Sequence, residues 1–271
     1  VAQRQTLQRA IGKLSLSVGR RTDGSCGLTD LREQGSFRVI FPRAPSGSVE
    51  AVILNTAGGI AGGDRYSINA TAAAQSCLTL TTQAAERAYG VSDASNGKLD
   101  TTITVASGAR VNWLPQETIL FDGSRLQRKL DVDVAEGAEF VMAEPVVFGR
   151  EASGETVRAG LFQDSVTIRT GTHMHYIDRV RFEGDMAASL QHRAIGNGAG
   201  AMASVVFHSP SAERHLDEIR AMLPDTAGAS LLADTILCAR ILAADGFSLR
   251  RDLMPLLQHL TNDTVPKNWR L

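Results

Sequence analysis

Alternation with a period of two residues runs through most of the chain and leaves little room for anything but strands. Leu99, Thr101, Ile103 and Val105 point one way while Asp100, Thr102 and Thr104 point the other. Leu130, Val132 and Val134 alternate with Asp131 and Asp133 in the same manner, and Tyr66, Ile68 and Ala70, then Val166 and Ile168, repeat the pattern. Successive side chains of an extended strand project to opposite faces, so each such run buries one face and wets the other. Every run closes at a small-residue turn and is followed by a second extended run. Between residues 35 and 185 no apolar stripe at helical spacing is present.

The alternating runs also resemble one another. LDTTITVASGARVNWLP (99–115) is matched by LDVDVAEGAEFVMAEP (130–145), with Gly108-Ala109 recurring as Gly137-Ala138, 29 residues later. DSVTIRTGTHMHYID (164–178) fits the same template around Gly171, and YSINATAAAQSCLTLTT (66–82) fits more loosely around Ala74. A unit of strand, tight turn and strand cannot bury its apolar face alone, so the units are expected to stack. The predicted fold is therefore mainly β, with stacked or layered, solenoid-like strands. Chance similarity between ordinary hairpins is the alternative, and it leaves the β class unchanged.

Helical spacing is confined to the C-terminal part. His215, Leu216, Ile219 and Met222 fit a helix over 211–222 that stops at Pro224. A long strand is expected over 229–242. Phe247, Leu249, Leu253, Leu256, Leu257 and Leu260 then fit a second helix, begun near Ser248 and open to a break or kink at Pro255. The tail NDTVPKNWRL reads as an extended segment anchored by Trp269. This gives about two α-helices toward the C-terminus of a single domain spanning 1–271, β-rich over 1–208 and α-containing over 209–271.

Composition removes several functional classes. Lys and Arg total 28 against 29 Asp and Glu, a net charge of −1, so the cationic surplus of a nucleic-acid binder or a basic membrane-surface protein is missing. The most apolar stretch, 231–244, is interrupted by Asp234 and Arg240 and falls short of the roughly 18 residues of a membrane span. The opening VAQRQTLQRAIGK has no apolar segment of the secretory kind. Cys26, Cys77 and Cys238 lie far apart with no CxxC, which favours a reducing compartment over a disulfide framework. The expectation is a cytoplasmic protein that binds neither nucleic acid nor membrane.

Few residues advertise chemistry. NTAGGIAGGD (55–64) is glycine-rich enough for a phosphate loop, but Asp64 leads into the strand pattern RYSINATA rather than a helix, and no Lys-Ser/Thr follows. A tight turn presenting Asp64 is the better reading. His173 and His175, two apart on a strand, share a face as ligands of a β-barrel metal site would, without a third ligand at matching spacing. They define the alternative function, a metal-dependent β-barrel or β-helix enzyme. No activated nucleophile is evident, and the chain is not expected to be an enzyme.

The repeat exposes a sharper anomaly. Val111 and Trp113 share a face, Phe140 and Met142 are their equivalents, and the next position on that face is Pro115 in one unit and Glu144 in the other. In the unit around Gly171, Met174 and Tyr176 are followed by Asp178 in the same slot. A carboxylate on an apolar face is costly unless it is paired or faces water. Either these acids form internal salt bridges, to an arginine such as Arg150 or Arg179, or they line a hydrated passage.

Five segments in order carry a family resemblance: NTAGGIAGGD (55–64), TTQAAERAY (81–89), GARVNWLPQETILFDG (108–123), VVFGREASGE (146–155) and the closing PKNW (266–269). Together they resemble the UreD (UreH) family of urease accessory proteins over nearly the whole chain. Motif positions in this chain are Gly58, Gly59, Gly62, Gly63, Gln83, Arg87, Tyr89, Trp113, Pro115, Gln116, Gly149 and Arg150. The resemblance implies a mostly β, non-catalytic scaffold. Such a scaffold docks on the urease apoprotein, binds UreF and through it UreG, and passes nickel(II) along a water-filled tunnel with no tightly bound cofactor or metal. Carried over residue by residue, it assigns transient metal contacts to Asp64, Glu86, Glu144 and Asp178.

Overall fold

A computed structural model describes residues 8–44, 47–91, 93–150 and 153–270. The first seven residues of the N-terminal stretch, and Glu151 and Ala152 of VVFGREASGE, lie outside the described residues. The N-terminal strands are β1 (Ile11–Arg20), β2 (Cys26–Gly35), β3 (Phe37–Ile40) and β4 (Val49–Asn55). The repeat region supplies β5 (Arg65–Ala72), β6 (Cys77–Thr82), β7 (Glu86–Ala88), β8 (Gly97–Val105), β9 (Arg110–Leu114), β10 (Thr118–Leu120), β11 (Arg125–Val134) and β12 (Glu139–Phe148). Then come β13 (Leu161–Thr170), β14 (His173–Glu183), α1 (Met186–Gln191) and β15 (Ala201–His208). The chain closes with α2 (Leu216–Met222), β16 (Ala227–Ala233), β17 (Ile236–Ala243) and α3 (Gly246–Leu260).

The strands stack as two facing sheets. One runs β14-β13-β11-β8-β5-β1-β2; the other runs β16-β17-β15-β12-β9-β6-β4-β3, with the short β10 and β7 beside β12. The repeat explains this arrangement. In each unit the first strand lies in the first sheet and the second strand in the other, so β5, β8 and β11 pair in parallel in one layer while β6, β9 and β12 do so in the other. The turns between them stack as well: Gln75 N donates to Ser107 O at 3.1 Å and Ser107 Oγ to Glu136 O at 3.2 Å. Gly108 (φ 65°) and Gly137 (φ 73°) take the left-handed conformation these turns require, and in the looser unit Gln75 (φ 58°) takes it. The stacking expected from the repeat is thus observed for three units.

The fourth unit differs. β13 and β14 pair antiparallel around Gly171, so this run is a hairpin that turns back into its own sheet rather than crossing to the other. Asp178 consequently does not occupy the slot of Glu144. The strand expected over 229–242 is likewise a hairpin, β16 and β17 pairing antiparallel around a turn at Asp234 and Thr235.

The second sheet is the middle of three layers. Its inward residues, including Val111, Trp113, Phe140 and Met142, meet Ile68, Ile103, Leu130 and Val132 of the first sheet. Its reverse residues, Leu114, Val141, Ala143 and Val205, meet Ile219 of α2 and Leu249, Leu253, Leu256 and Leu257 of α3. With both faces covered, β15 (AMASVVFH) is buried at every position and reads as a continuous apolar run.

The two expected helices are present, α2 preceded by a 3-10 turn over Ala212–His215. α3 begins one turn after β17, capped by Asp245, whose Oδ1 accepts from Ser248 N at 2.6 Å. It continues through the exposed Pro255 without ending there. α1 was not expected: six residues capped by Asp185 and burying Met186 and Leu190 are too few to show a periodic stripe. The tail ends in a 3-10 turn, Lys267–Trp269, with Trp269 buried as anticipated.

Candidate functional site

The inward face of β11 reads Leu126, Arg128, Leu130, Val132 and that of β13 reads Phe162, Asp164, Val166, Ile168. One charged residue interrupts each apolar row, and the parallel register sets Arg128 directly beside Asp164. Glu144 comes from the opposite sheet, two residues beyond Met142 on β12. Arg128 is 9 % exposed and Glu144 7 % exposed, yet each has charged partners. Arg128 Nη1 lies 2.7 Å from Glu144 Oε2, and Arg128 Nη2 lies 2.5 Å from Asp164 Oδ2. Trp113 Nε1–H donates to Glu144 Oε1 at 2.5 Å, and Arg128 Nη1 also donates to Thr118 Oγ1 at 3.0 Å. The salt bridge anticipated for Glu144 exists, but to Arg128 rather than to Arg150 or Arg179.

These groups form one wall of a cavity of about 220 Å³ between the sheets. Glu86, at the start of β7, lines the same space, and its carboxylate accepts from Asn55 Nδ2 and from Arg87 N, both at 3.1 Å. Gly58, Gln83, Ala84 and Arg87, all exposed, also line the cavity and mark its mouth; Trp113, Pro115 and Gln116 line its interior. Burial pushes the Glu86 carboxyl above the ordinary carboxylate range, opposed by the Asn55 amide. Burial also pushes Glu144 up; Arg128 pulls the other way, and the second carboxylate, Asp164, adds to the rise. The cavity wall carries three carboxylates, Glu86, Glu144 and Asp164, and three cationic groups, Arg87, Arg128 and Lys129, around a space large enough for several waters.

Asp64 and Asp178 lie elsewhere. Asp64 is buried with Oδ1 accepting from Ala10 N and Oδ2 from Ala61 N, each at 2.8 Å, so it fastens the glycine turn to the chain before β1. Asp178 pairs with Arg240 of β17 at 2.5 Å, a bridge between the sheets at their far edge. Of the four acids proposed from sequence, the cavity brings together Glu86 and Glu144.

The remaining motif residues support this site. The glycine turn is followed by strand β5, as its sequence context required. A Cβ on Gly59 would stand 2.2 Å from the Tyr89 ring, and one on Gly62 would stand 2.5 Å from Ser95 O, so both close approaches need glycine. Tyr89 O–H donates to Gly58 O at 2.9 Å and its ring meets Phe121 edge-on. Arg150 stacks on Phe121 and pairs with Glu155 at 3.0 Å; Gly149 and Gly63 take positive φ beside them and before Asp64 respectively. The tail closes over the WLPQE segment: Trp269 Nε1–H donates to Leu114 O at 2.9 Å, and Arg250 pairs with Glu117 at 2.8 Å. Asn268 donates to Thr82 O at 2.6 Å, joining the tail to the segment at 81–89.

His173 and His175 sit on the edge strand β14, and the structure brings His208 of β15 against His175, with ring centroids 5.1 Å apart. Burial lowers the pKa of both His175 and His208. Even so, among the described residues no group of three or more His, Cys, Asp and Glu is placed to hold a metal ion. Nor is any helix among them long and apolar enough to cross a membrane.

Sequence reasoning missed Arg128, Asp164 and Asn55. The first two had a visible signal, since each stands at an inward position of an alternating run. Asn55 had none beyond its place at the head of the glycine segment.

Comparison with known proteins is consistent along the chain. A family model described as "UreD urease accessory protein" matches residues 10–270. A Roseobacter denitrificans protein called "Urease accessory protein UreD" is 45 % identical over 263 residues, covering 97 % of this chain and 96 % of that protein. Proteins of the same name from Ruegeria pomeroyi (45 % identical; 92 % and 97 % covered) and Sinorhizobium medicae (42 %; 97 % and 97 %) are similar throughout.

Proposed function

Because the chain belongs to the UreD family of urease accessory proteins, we propose that it docks on the urease apoprotein, engages UreF and through it UreG, and conducts nickel(II) through the inter-sheet cavity. The observation that carries this reading is the cavity itself, with Glu86 near its mouth and Glu144 on its inner wall. Nickel(II) is held firmly by imidazole and thiolate and loosely by carboxylate and water. A conduit needs sites that admit a cation without retaining it. The cavity sets Glu86, Glu144 and Asp164 among Arg87, Arg128 and Lys129, with no histidine or cysteine among the described residues that line it, and a wall so balanced holds a cation loosely. Nickel is cargo here and not a resident cofactor, and the reaction compartment is the cytoplasm.

The test is co-expression of the chain with urease subunits, UreF and UreG, followed by pull-down and urease activity. Glu86→Gln together with Glu144→Gln should leave the complex intact while nickel-dependent activation falls at least tenfold. Wild-type activation by an intact complex would remove the conduit role. Substituting Asp64 and Asp178 is expected to act instead through folding, as a lower yield of soluble chain.

A further inference from the structure

Glu144 is not free to receive a cation. One of its oxygens accepts the Trp113 indole N–H and the other faces Arg128. Asp164 is engaged on both oxygens too, by Arg128 and by Ser165 N. Glu86 differs, because the groups of the described residues that bond to its carboxylate are neutral amide N–H groups, of Asn55 and Arg87. A cation entering past Glu86 therefore meets a wall whose carboxylates already hold a positive group.

We infer that Arg128 is a tethered cation that seals the inner wall of the cavity, and that a divalent metal breaks this seal by taking Glu144 while the guanidinium stays on Asp164. This deepens the conduit reading and rests on it. The geometry makes the contacts of Arg128 unequal. Its link to Asp164 joins neighbouring strands of one sheet in register, whereas Nη1 crosses the space between the sheets to Glu144 and to Thr118 of β10. Breaking the link to Glu144 unseals that wall and leaves Arg128 with one carboxylate, so no buried charge is stranded. The Phe162 ring lies 5.3 Å from the guanidinium carbon and gives the planar group an apolar surface to move across, Nε makes no hydrogen bond, and the neutral contact given up is that of Nη1 with Thr118 Oγ1.

Charge decides what can displace it. Sodium or potassium brings no more charge than the guanidinium and lacks its directional donors, so the exchange gains nothing. A divalent ion doubles the attraction to Glu144. Magnesium demands near-ideal octahedral geometry and keeps most of its waters, whereas the affinity of a given site rises along the first transition row toward nickel, which makes these ions the stronger displacers.

Trp113 reports the exchange, since its indole N–H is bonded to the carboxylate that changes partner. Nickel chloride titrated into the full chain should change tryptophan emission in the wild type and not in Trp113→Phe. Sodium and magnesium should give no response at the same concentrations. Arg128→Gln should bind nickel at least tenfold more tightly than wild type. Arg128→Lys keeps the charge but cannot span both carboxylates, and it should bind several-fold more tightly; it carries the test if Arg128→Gln does not fold. Arg128→Lys binding nickel no more tightly than wild type overturns the seal. Urease activation separates the two claims. If Glu86→Gln leaves activation unchanged, the conduit reading fails whatever Arg128 does; if Glu86→Gln lowers activation while Arg128→Lys binds as wild type, the seal alone fails.

Discussion

Consecutive residues of β12 face two different interiors. Val141 and Ala143 enter the layer beneath α2 and α3, which is filled by Leu249, Leu253, Leu256 and Leu257. Phe140, Met142 and Glu144 enter the space between the sheets, where an apolar packing gives way to Arg128, Glu144, Asp164 and a cavity. The strand is the same and the burial similar, so local propensity cannot account for the difference. Burying charge is costly. In the helix-side layer Arg250 of α3 pairs with Glu117, beyond the end of β9, whereas in the inter-sheet layer Arg128, Glu144 and Asp164 stand on the strands themselves and adjoin a cavity.

The contrast is broken most severely by Arg128→Leu. It leaves Glu144 and Asp164 buried without a counter-ion and should cost about 3–5 kcal/mol at neutral pH, read by urea denaturation. The loss should shrink at acid pH, where Glu144, pushed up by burial, takes up a proton. Leu253→Ala in the other layer should cost about 2–5 kcal/mol through the cavity it leaves, with little dependence on pH. Similar losses, one shrinking in acid and the other not, would establish the two interiors as chemically distinct.

Glu86→Gln sharpens the comparison further. Burial raises the folded-state pKa of Glu86 above its unfolded value. Its ionised form therefore opposes folding, and wild-type stability falls as pH rises from the ordinary carboxylate range through the raised one. Glu86→Gln should be more stable than wild type at pH 7, with the gap closing on acidification; a gap that widened in acid would contradict the assigned burial. The smallest effect belongs to the repeat. Gln75 takes the left-handed conformation that glycine supplies at Gly108 and Gly137, so Gln75→Gly should raise stability by about 0.5–1 kcal/mol in thermal unfolding.

Much of this architecture was legible in the sequence. Period-2 alternation marked β5, β8 and β11, and the recurring glycine turns announced the stack. The matching of Val111 with Phe140 and of Trp113 with Met142 is the parallel register of β9 on β12. Glu144 was found because it broke that pattern. Arg128 and Asp164 broke it equally but lie at the starts of their runs, before the alternation was established. Their pairing with Glu144 spans two sheets, and such proximity leaves no periodic trace in a sequence.

Asp178 was misplaced for a related reason. The turn at Gly171, like those at Gly108 and Gly137, needs a residue at positive φ. Whether the chain then crosses to the facing layer or doubles back depends on which neighbour is waiting to pair with it. β14 doubles back onto β13 and ends the coil.

The parallel coil also fixes how this molecule can vary. Neighbouring turns of the coil are about 4.8 Å apart, the hydrogen-bonding spacing of strands. The body can therefore lengthen or shorten only by whole turns, each some thirty residues of chain, because any fraction would leave a backbone edge unmatched in both layers. Spacings from strand to neighbouring strand along the coil, such as that between Arg128 on β11 and Asp164 on β13, come in that step. Single substitutions can retune the chemistry at each level, but only duplication or loss of a whole turn can change the span.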